Sequence, residues 1–83
     1  MTEDHFVLNE SSSIASVIKK LRRKRKITQT QLADYAGLSR AGVAKIEAGA
    51  SDIKLSTLIS IATLLGLDLC LIDRAKESGI KDE

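Results

Sequence analysis

The spacing of apolar residues predicts a first helix near the start of the chain. Four aliphatic residues recur at positions i, i+3, i+4 and i+7, which places them on one helical face: Ile14, Val17, Ile18 and Leu21. Three serines at 11–13 come just before this stripe. Serine is a preferred N-cap residue because its hydroxyl accepts a hydrogen bond from a free backbone N–H. Together these features predict a helix over about residues 13–25.

Two shorter helices follow, and each has its own start signal. Thr28 and Gln31 have the spacing of a capping box, in which each side chain bonds the backbone N–H of the other residue. Gly37 ends this second helix, because glycine readily takes the left-handed conformation that closes a helix. Ser39 then caps a third helix. The predicted bounds are 29–36 for the second helix and about 40–48 for the third.

The last apolar stretch predicts a fourth helix over about 55–65. Its predicted core face consists of Leu55, Leu58, Ile59, Ala62 and Leu65. Ile61 lies at the margin of that stripe and Leu64 lies nearly opposite to it. A single buried face therefore does not include either residue.

The segment after the fourth helix predicts a strand. Over residues 67–73 the chain alternates, with Leu67, Leu69 and Leu71 on one side and Asp68 and Cys70 on the other. In a rival interpretation Asp68 caps a short fifth helix. We favour the strand.

Size and composition indicate one small globular domain. The chain has 83 residues, of which 43% are hydrophobic and 29% are charged. The single cysteine excludes an internal disulfide framework and a Cys-based zinc site. We also find no arrangement of catalytic side chains, so we expect neither an enzyme nor a cofactor or metal site. The predicted segments are an N-terminal tail at 1–10, a helical domain at 11–66, a strand at 67–73 and a flexible tail at 74–83.

Charge is unevenly distributed along the chain. Residues 11–54 carry ten Lys or Arg against three acidic residues, whereas residues 1–10 and 55–83 are net acidic. Seven of the eight positions 19–26 are basic. A basic middle predicts a polyanionic partner such as nucleic acid.

No apolar stretch approaches the ~18 residues of a membrane span, and the acidic start lacks the order of a secretory signal. We therefore expect a cytoplasmic, nucleoid-associated protein without a membrane partner.

The middle of the chain resembles the Xre/Cro-type helix-turn-helix family. The resemblance rests on TQTQLADYAGLSRAGVAKIEAGA, extended by LSTLISIATLLGL, and covers residues 14–66. It implies a mainly α bundle of four to five helices. In this motif the second of the two short helices lies in the DNA major groove, with its first residues at the base edges.

The resemblance also implies which residues contact DNA. Arg40 can donate two hydrogen bonds to guanine, and Lys45 can reach guanine or a phosphate. Gln29 matches a glutamine that family members use on a DNA phosphate, and part of the basic run is expected to contact phosphates as well. Arg22 matches a family arginine that pairs with the glutamate matching Glu47. The predicted DNA-binding set is Thr28, Gln29, Ser39, Arg40, Ala41, Ala44, Lys45, Arg23 and Lys24.

The segment 67–73 departs from the family pattern and looks like that of HipB-type antitoxins. In those proteins it is a strand that pairs with its twin across a dimer, the protein represses its own operon, and its partner is a HipA-like kinase toxin. The likeness implies a homodimer with an intersubunit sheet, bound to double-stranded operator DNA with two-fold symmetry. The residues expected to form the dimer contact are Leu67, Leu69, Leu71, Ile61 and Leu64.

Two other functions remain open. One is a stand-alone phage-type or restriction-controller regulator without a toxin partner. The other is a protein-interaction module whose basic helix binds an acidic protein.

Overall fold

Most of the described residues belong to four α-helices. The computed structural model describes residues 6–8, 11–50 and 52–75. The helices are α1 (Ser11–Lys24), α2 (Gln29–Ala36), α3 (Arg40–Glu47) and α4 (Leu55–Leu65), which confirms the four predicted helices. None of the described helices has both the length and the apolar character needed to cross a membrane. The predictions for residues 1–5, 9–10 and 76–83 of the two tails lie outside the described residues.

The starts of α2 and α3 form as the sequence predicts. The Gln31 backbone N–H donates to Thr28 Oγ1 at 3.0 Å, and the Thr28 N–H donates to Gln31 Oε1 at 2.8 Å. The Gly42 N–H donates to Ser39 Oγ at 2.9 Å, which caps α3. Each cap satisfies backbone donors that a helix cannot satisfy itself, and contributes ~1 kcal/mol.

The core lies where α1 and α4 close over the pair formed by α2 and α3. Helix α2 packs against α3 and α4, and α1 packs against the same two helices. Fully burying one Leu or Val side chain stabilises the fold by ~1.5–3 kcal/mol. The buried cluster therefore holds the short helices in place; it consists of Ile18, Leu21, Leu32, Ala33, Val43, Ile46, Ile61 and Leu65.

Helix α4 buries only part of the predicted face. Ala62 and Leu65 are buried and Leu58 packs against the core, as predicted. Leu55 and Ile59 are instead 68% and 48% exposed. The prediction was wrong for these two residues because LSTLISIATLL is apolar at most of its positions, so its apolar residues do not define a single stripe.

The two residues that the prediction left over belong to the core. Ile61 is only 1% exposed, and Leu64 packs partly buried against the core. The expectation that one chain leaves Ile61 unpacked is therefore also wrong.

The predicted C-terminal strand is not seen in this single chain. Within the described part, residues 67–73 are neither strand nor helix, and neither are residues 6–8. The rival fifth helix is thus absent at 67–73 as well. A strand needs a neighbour to complete its ladder of hydrogen bonds. The two segments instead contribute Leu8, Leu67 and Leu69 to an apolar cleft between α1 and α4.

Candidate nucleic-acid interface

The turn between α2 and α3 fixes the angle at which the two helices meet. Gly37 adopts φ +70°, the left-handed region that strains any residue with a Cβ. No heavy atom lies within 4 Å of the position of that Cβ, so the backbone conformation rather than space favours glycine here. The Leu38 N–H donates to the Ala33 carbonyl at 2.8 Å, and Leu32 and Val43 are fully buried between the helices. Helix α3 is therefore held rigidly on its inner side.

The outer face of α3 carries two cations among small side chains. Arg40, Ala41, Ala44 and Lys45 are all exposed, and Gly42 is half-buried. Neither cation donates a hydrogen bond to another residue of the described part of the chain. Because the residues between them are small, the backbone of α3 can approach a large flat ligand closely, with both cations free to bind it.

The start of α2 presents a second set of donors. Its capping box uses the backbone N–H groups of Thr28 and Gln31. The N–H groups of Gln29 and Thr30 lie in the first turn, where a helix offers them no carbonyl partner. They lie at the positive end of the helix dipole, which favours an anion. The Thr28 side chain is exposed and that of Gln29 is half-buried.

A buried ion pair ties the end of α3 to α1. Arg22 Nε donates to Glu47 Oε2 at 2.5 Å and Arg22 Nη2 donates to Glu47 Oε1 at 3.1 Å. Arg22 Nη1 also donates to the Ile27 carbonyl at 2.8 Å. The two side chains are only 11% and 3% exposed. This is the pair that the family resemblance implied, and it joins α1, the loop after it and the last turn of α3.

Gln29 has a partner that the sequence did not reveal. Its side-chain Nε2 donates to Glu47 Oε1 at 3.2 Å. We expected Gln29 to face only solvent or a ligand, yet it also belongs to the network of the buried pair. The two residues are 18 positions apart, so no helical or capping periodicity could have connected them.

The basic run divides into groups with different surroundings. Arg23 and Lys24 are exposed, as are Lys19 and Lys20 on the same helix. Arg25 is also exposed, but it lies near the end of α4, with its Nε 3.8 Å from the position that a Cβ on Gly66 would take. A cation is favourable there, because the C-terminal end of a helix carries partial negative charge. Only part of the run is therefore free to meet a phosphate backbone.

Comparison with protein families agrees with this geometry. The helix-turn-helix family model HTH_3 matches residues 18–72. The chain belongs to this helix-turn-helix family. Helix α3 is the second helix of the motif, the helix that lies in the major groove in DNA complexes of helix-turn-helix proteins.

Individual relatives show what kinds of proteins carry this helix-turn-helix domain. The chain is 41% identical over 71 residues to the immunity repressor protein of Bacillus phage phi105, and the match covers 86% of this chain and 49% of the phage protein. The chain thus spans about half the length of that relative. Among solved structures it is similar to the restriction-modification controller protein C.AhdI from Aeromonas hydrophila, with 26% identity, a TM-score of 0.66 and coverage of 70% of this chain and 88% of the other.

A third likeness covers more of this chain than the controller protein does. A complex of a HipB variant with an O2 20mer matches with a TM-score of 0.72 at 24% identity, covering 86% of this chain and 99% of the HipB chain. HipB also occurs in a HipA–HipB–O2–O3 complex, which matches at 23% identity with a TM-score of 0.67 and covers 89% of this chain and 99% of that one. At these identities the likeness shows a shared fold.

Proposed function

We propose that the protein is a transcriptional repressor that binds double-stranded operator DNA sequence-specifically, as a homodimer. The observation that carries this proposal is the exposed face of α3, where two unpaired cations stand among small residues on a helix whose inner side is fixed. Arg40 reads guanine with two hydrogen bonds, Lys45 reads guanine or binds a phosphate, and Ala41 meets a thymine methyl group. Ser39 and Ala44 complete the contact surface, because their small side chains allow the helix to enter the groove.

The phosphate contacts come from the edges of this surface. Thr28 and Gln29 offer their side chains together with the two free N–H groups at the start of α2. Arg23 and Lys24 add charge from the exposed side of α1. Such contacts fix the orientation of the protein on the duplex and supply affinity that does not depend on sequence.

A second copy of the chain completes the C-terminal half. Five large aliphatic side chains are exposed there: Leu55, Ile59, Leu69, Leu71 and Ile72. We propose that residues 67–73 pair with their twin as a short antiparallel sheet, which satisfies the backbone and covers Leu69 and Leu71. Leu64 and Leu67, which are already half-buried in one chain, pack beneath this intersubunit sheet. The two recognition helices then lie about 34 Å apart, which requires a two-fold operator.

Two biological roles fit such a repressor. The role of autoregulating antitoxin of a HipA-like kinase is supported by the fold likeness to HipB, which covers 99% of the HipB chain. The role of a stand-alone regulator is supported by the greater identity to a phage immunity repressor and by the likeness to a restriction-modification controller. Co-expression with a kinase-like protein encoded beside this gene separates them: co-purification in a stable complex supports the antitoxin role, and its failure supports the stand-alone role.

Fluorescence anisotropy tests the DNA-binding proposal. The chain is titrated onto a labelled duplex from the region upstream of its own gene and onto an unrelated duplex of equal length, at several salt concentrations. We expect selective binding to the first duplex that weakens steeply as salt rises, because phosphate contacts release counterions. Equal affinity for both duplexes, or none for either, would contradict the proposal and favour a module that binds an acidic protein.

A further inference from the structure

The carboxylate of Glu47 holds two side chains at once. Its Oε2 accepts from Arg22 Nε, and its Oε1 accepts from both Arg22 Nη2 at 3.1 Å and Gln29 Nε2 at 3.2 Å. Glu47 is the last residue of α3, and Gln29 is the first residue of α2. One buried carboxylate therefore links the end of α3 to the start of α2.

The hydrogen bond to Glu47 uses only part of the Gln29 amide. The side-chain NH2 group has two hydrogens, and Glu47 accepts one of them. The second hydrogen remains available beside the two free backbone N–H groups of the first turn of α2. The Gln29 side chain is thereby held in one orientation before any ligand arrives, instead of sampling many rotamers in solvent.

We propose that Glu47 is a positioning residue for the DNA contact, and that it acts by orienting the Gln29 amide toward a backbone phosphate. The inference rests on the proposed function, in which Gln29 meets that phosphate. It goes beyond the ion pair's role in stability, because it assigns Glu47 a share in DNA affinity through a residue on another helix.

Arg22 has a second part in this arrangement. A bare carboxylate directly behind Gln29 would repel an approaching phosphate. The two hydrogen bonds from the Arg22 guanidinium neutralise Glu47, so the carboxylate orients the amide without repelling the ligand. The packing of α3 against α1 and the phosphate contact of α2 are therefore coupled through one buried carboxylate.

A double-mutant cycle on operator affinity tests the proposal. The variants are Gln29→Ala, Glu47→Leu and the double variant, measured at a temperature where circular dichroism shows each to be folded. In the wild-type background we expect Gln29→Ala to weaken binding roughly tenfold, as for loss of one hydrogen bond to a charged group. In the Glu47→Leu background the same change should weaken binding less than about twofold, because leucine has no acceptor to hold the amide in place. The matched control is Thr30→Ala, a neighbouring exposed residue, whose effect should be the same in both backgrounds.

An equal loss from Gln29→Ala in both backgrounds would overturn the proposal, since Glu47 would then serve stability alone. That outcome leaves the proposed function intact, because the wild type still binds its operator selectively. Absence of selective binding by the wild type would instead refute the proposed function and this inference together.

A second measurement tests the proposal if Glu47→Leu does not fold. In the wild type, NMR compares the side-chain NH2 groups of Gln29 and Gln31, because Gln31 uses only its carbonyl oxygen in the capping box. We expect slower hydrogen exchange at Gln29, and a change in its NH2 resonances when operator DNA is added. Exchange as fast as at Gln31 would show that the amide is not held, and would overturn the proposal.

Discussion

The two halves of the molecule differ in how completely one chain buries and pairs its side chains. We call the DNA-facing half closed, because a single chain satisfies its buried groups, and the C-terminal half open, because it leaves large apolar side chains exposed. In the first half, which comprises α1 to α3, Arg22 and Glu47 are buried but fully paired, and every buried side-chain polar atom of the described residues has a hydrogen-bond partner. In the second half, five large aliphatic side chains remain exposed on α4 and the segment after it. We infer that these side chains form an apolar patch of the kind that marks a protein–protein interface.

The helix starts differ in the same way. Helices α2 and α3 begin with a capping box and a serine cap, but α4 begins at Lys54 without a side-chain cap. Lys54 is also a cationic residue at the N-cap of α4, where the helix dipole favours a negative charge. We infer that the DNA-facing half is organised before binding, and that the second half gains its final stability from a partner chain.

The largest expected effect comes from Leu69→Pro in the open half. Proline removes a backbone donor and cannot continue a ladder, so we expect the dimer to dissociate while the single chain stays folded, because residues 67–73 form no ladder within it. Operator affinity should fall by about 10²–10⁴-fold, since the two half-sites are no longer bound together. Analytical ultracentrifugation at micromolar concentration measures the dissociation, with Arg74→Pro as the control. A monomeric wild type, or a variant that still dimerises and binds, would remove the distinction between the two halves.

The closed half is tested by Glu47→Ala, which leaves the Arg22 guanidinium buried without its partner. Breaking a buried pair costs ~3–5 kcal/mol and breaking an exposed pair costs below ~1 kcal/mol. With Arg22 at 11% and Glu47 at 3% exposure, we expect a loss of about 3 kcal/mol, or a melting temperature roughly 12–24 °C lower. Thermal unfolding by circular dichroism measures this, and Asp34→Ala, an exposed acid on α2, should leave the transition almost unchanged. A variant that melts like the wild type would show that the pair contributes nothing.

Arg40→Ala and Lys45→Ala separate binding from stability within the closed half. Each is expected to cost ~1–3 kcal/mol of discrimination between operator and unrelated DNA, if it makes a good contact with a base. Both side chains are exposed, so the melting temperature should hardly move. Anisotropy with both duplexes supplies the comparison. Unchanged specific affinity in both variants would show that this face does not read the operator.

The smallest effect is a gain of stability from Lys54→Asp. An aspartate at this N-cap can accept from a free N–H of α4 and places a negative charge at the positive end of the dipole. We expect stabilisation of about 1 kcal/mol and a melting temperature roughly 4–8 °C higher. Ser39→Ala, which removes an existing cap in the other half, should have an opposite effect of similar size. No gain from Lys54→Asp would indicate that the start of α4 is already satisfied.

Local signals in the sequence were sufficient for the helices. Thr28 with Gln31, Gly37 and Ser39 each act within four residues of their own position, so chemistry and spacing alone predicted where α2 and α3 begin and where α2 ends. The ion pair of Arg22 and Glu47 joins distant positions and followed only from the family resemblance. The Gln29–Glu47 hydrogen bond has neither kind of signal and required the folded geometry.

The incorrect predictions concern segments whose sequence is compatible with more than one buried face or conformation. Helix α4 is rich in leucine and isoleucine on all sides, so packing against α1 and α2, and not periodicity, selected Ile61 over Leu55 and Ile59. The alternation of residues 67–71 indicates a strand, but a strand forms only against a neighbour, and a single chain provides none within its described residues. The strand therefore remains a prediction about the dimer.

Selection of binding sites from a random duplex library tests most directly whether α3 reads a two-fold operator in the major groove. The wild-type chain should enrich a two-fold symmetric consensus whose half-sites lie about 10 base pairs apart, one helical turn. The Arg40→Ala chain should lose preference at a guanine within each half-site while keeping the spacing. Enrichment of an asymmetric site, or of no consensus at all, would contradict the account.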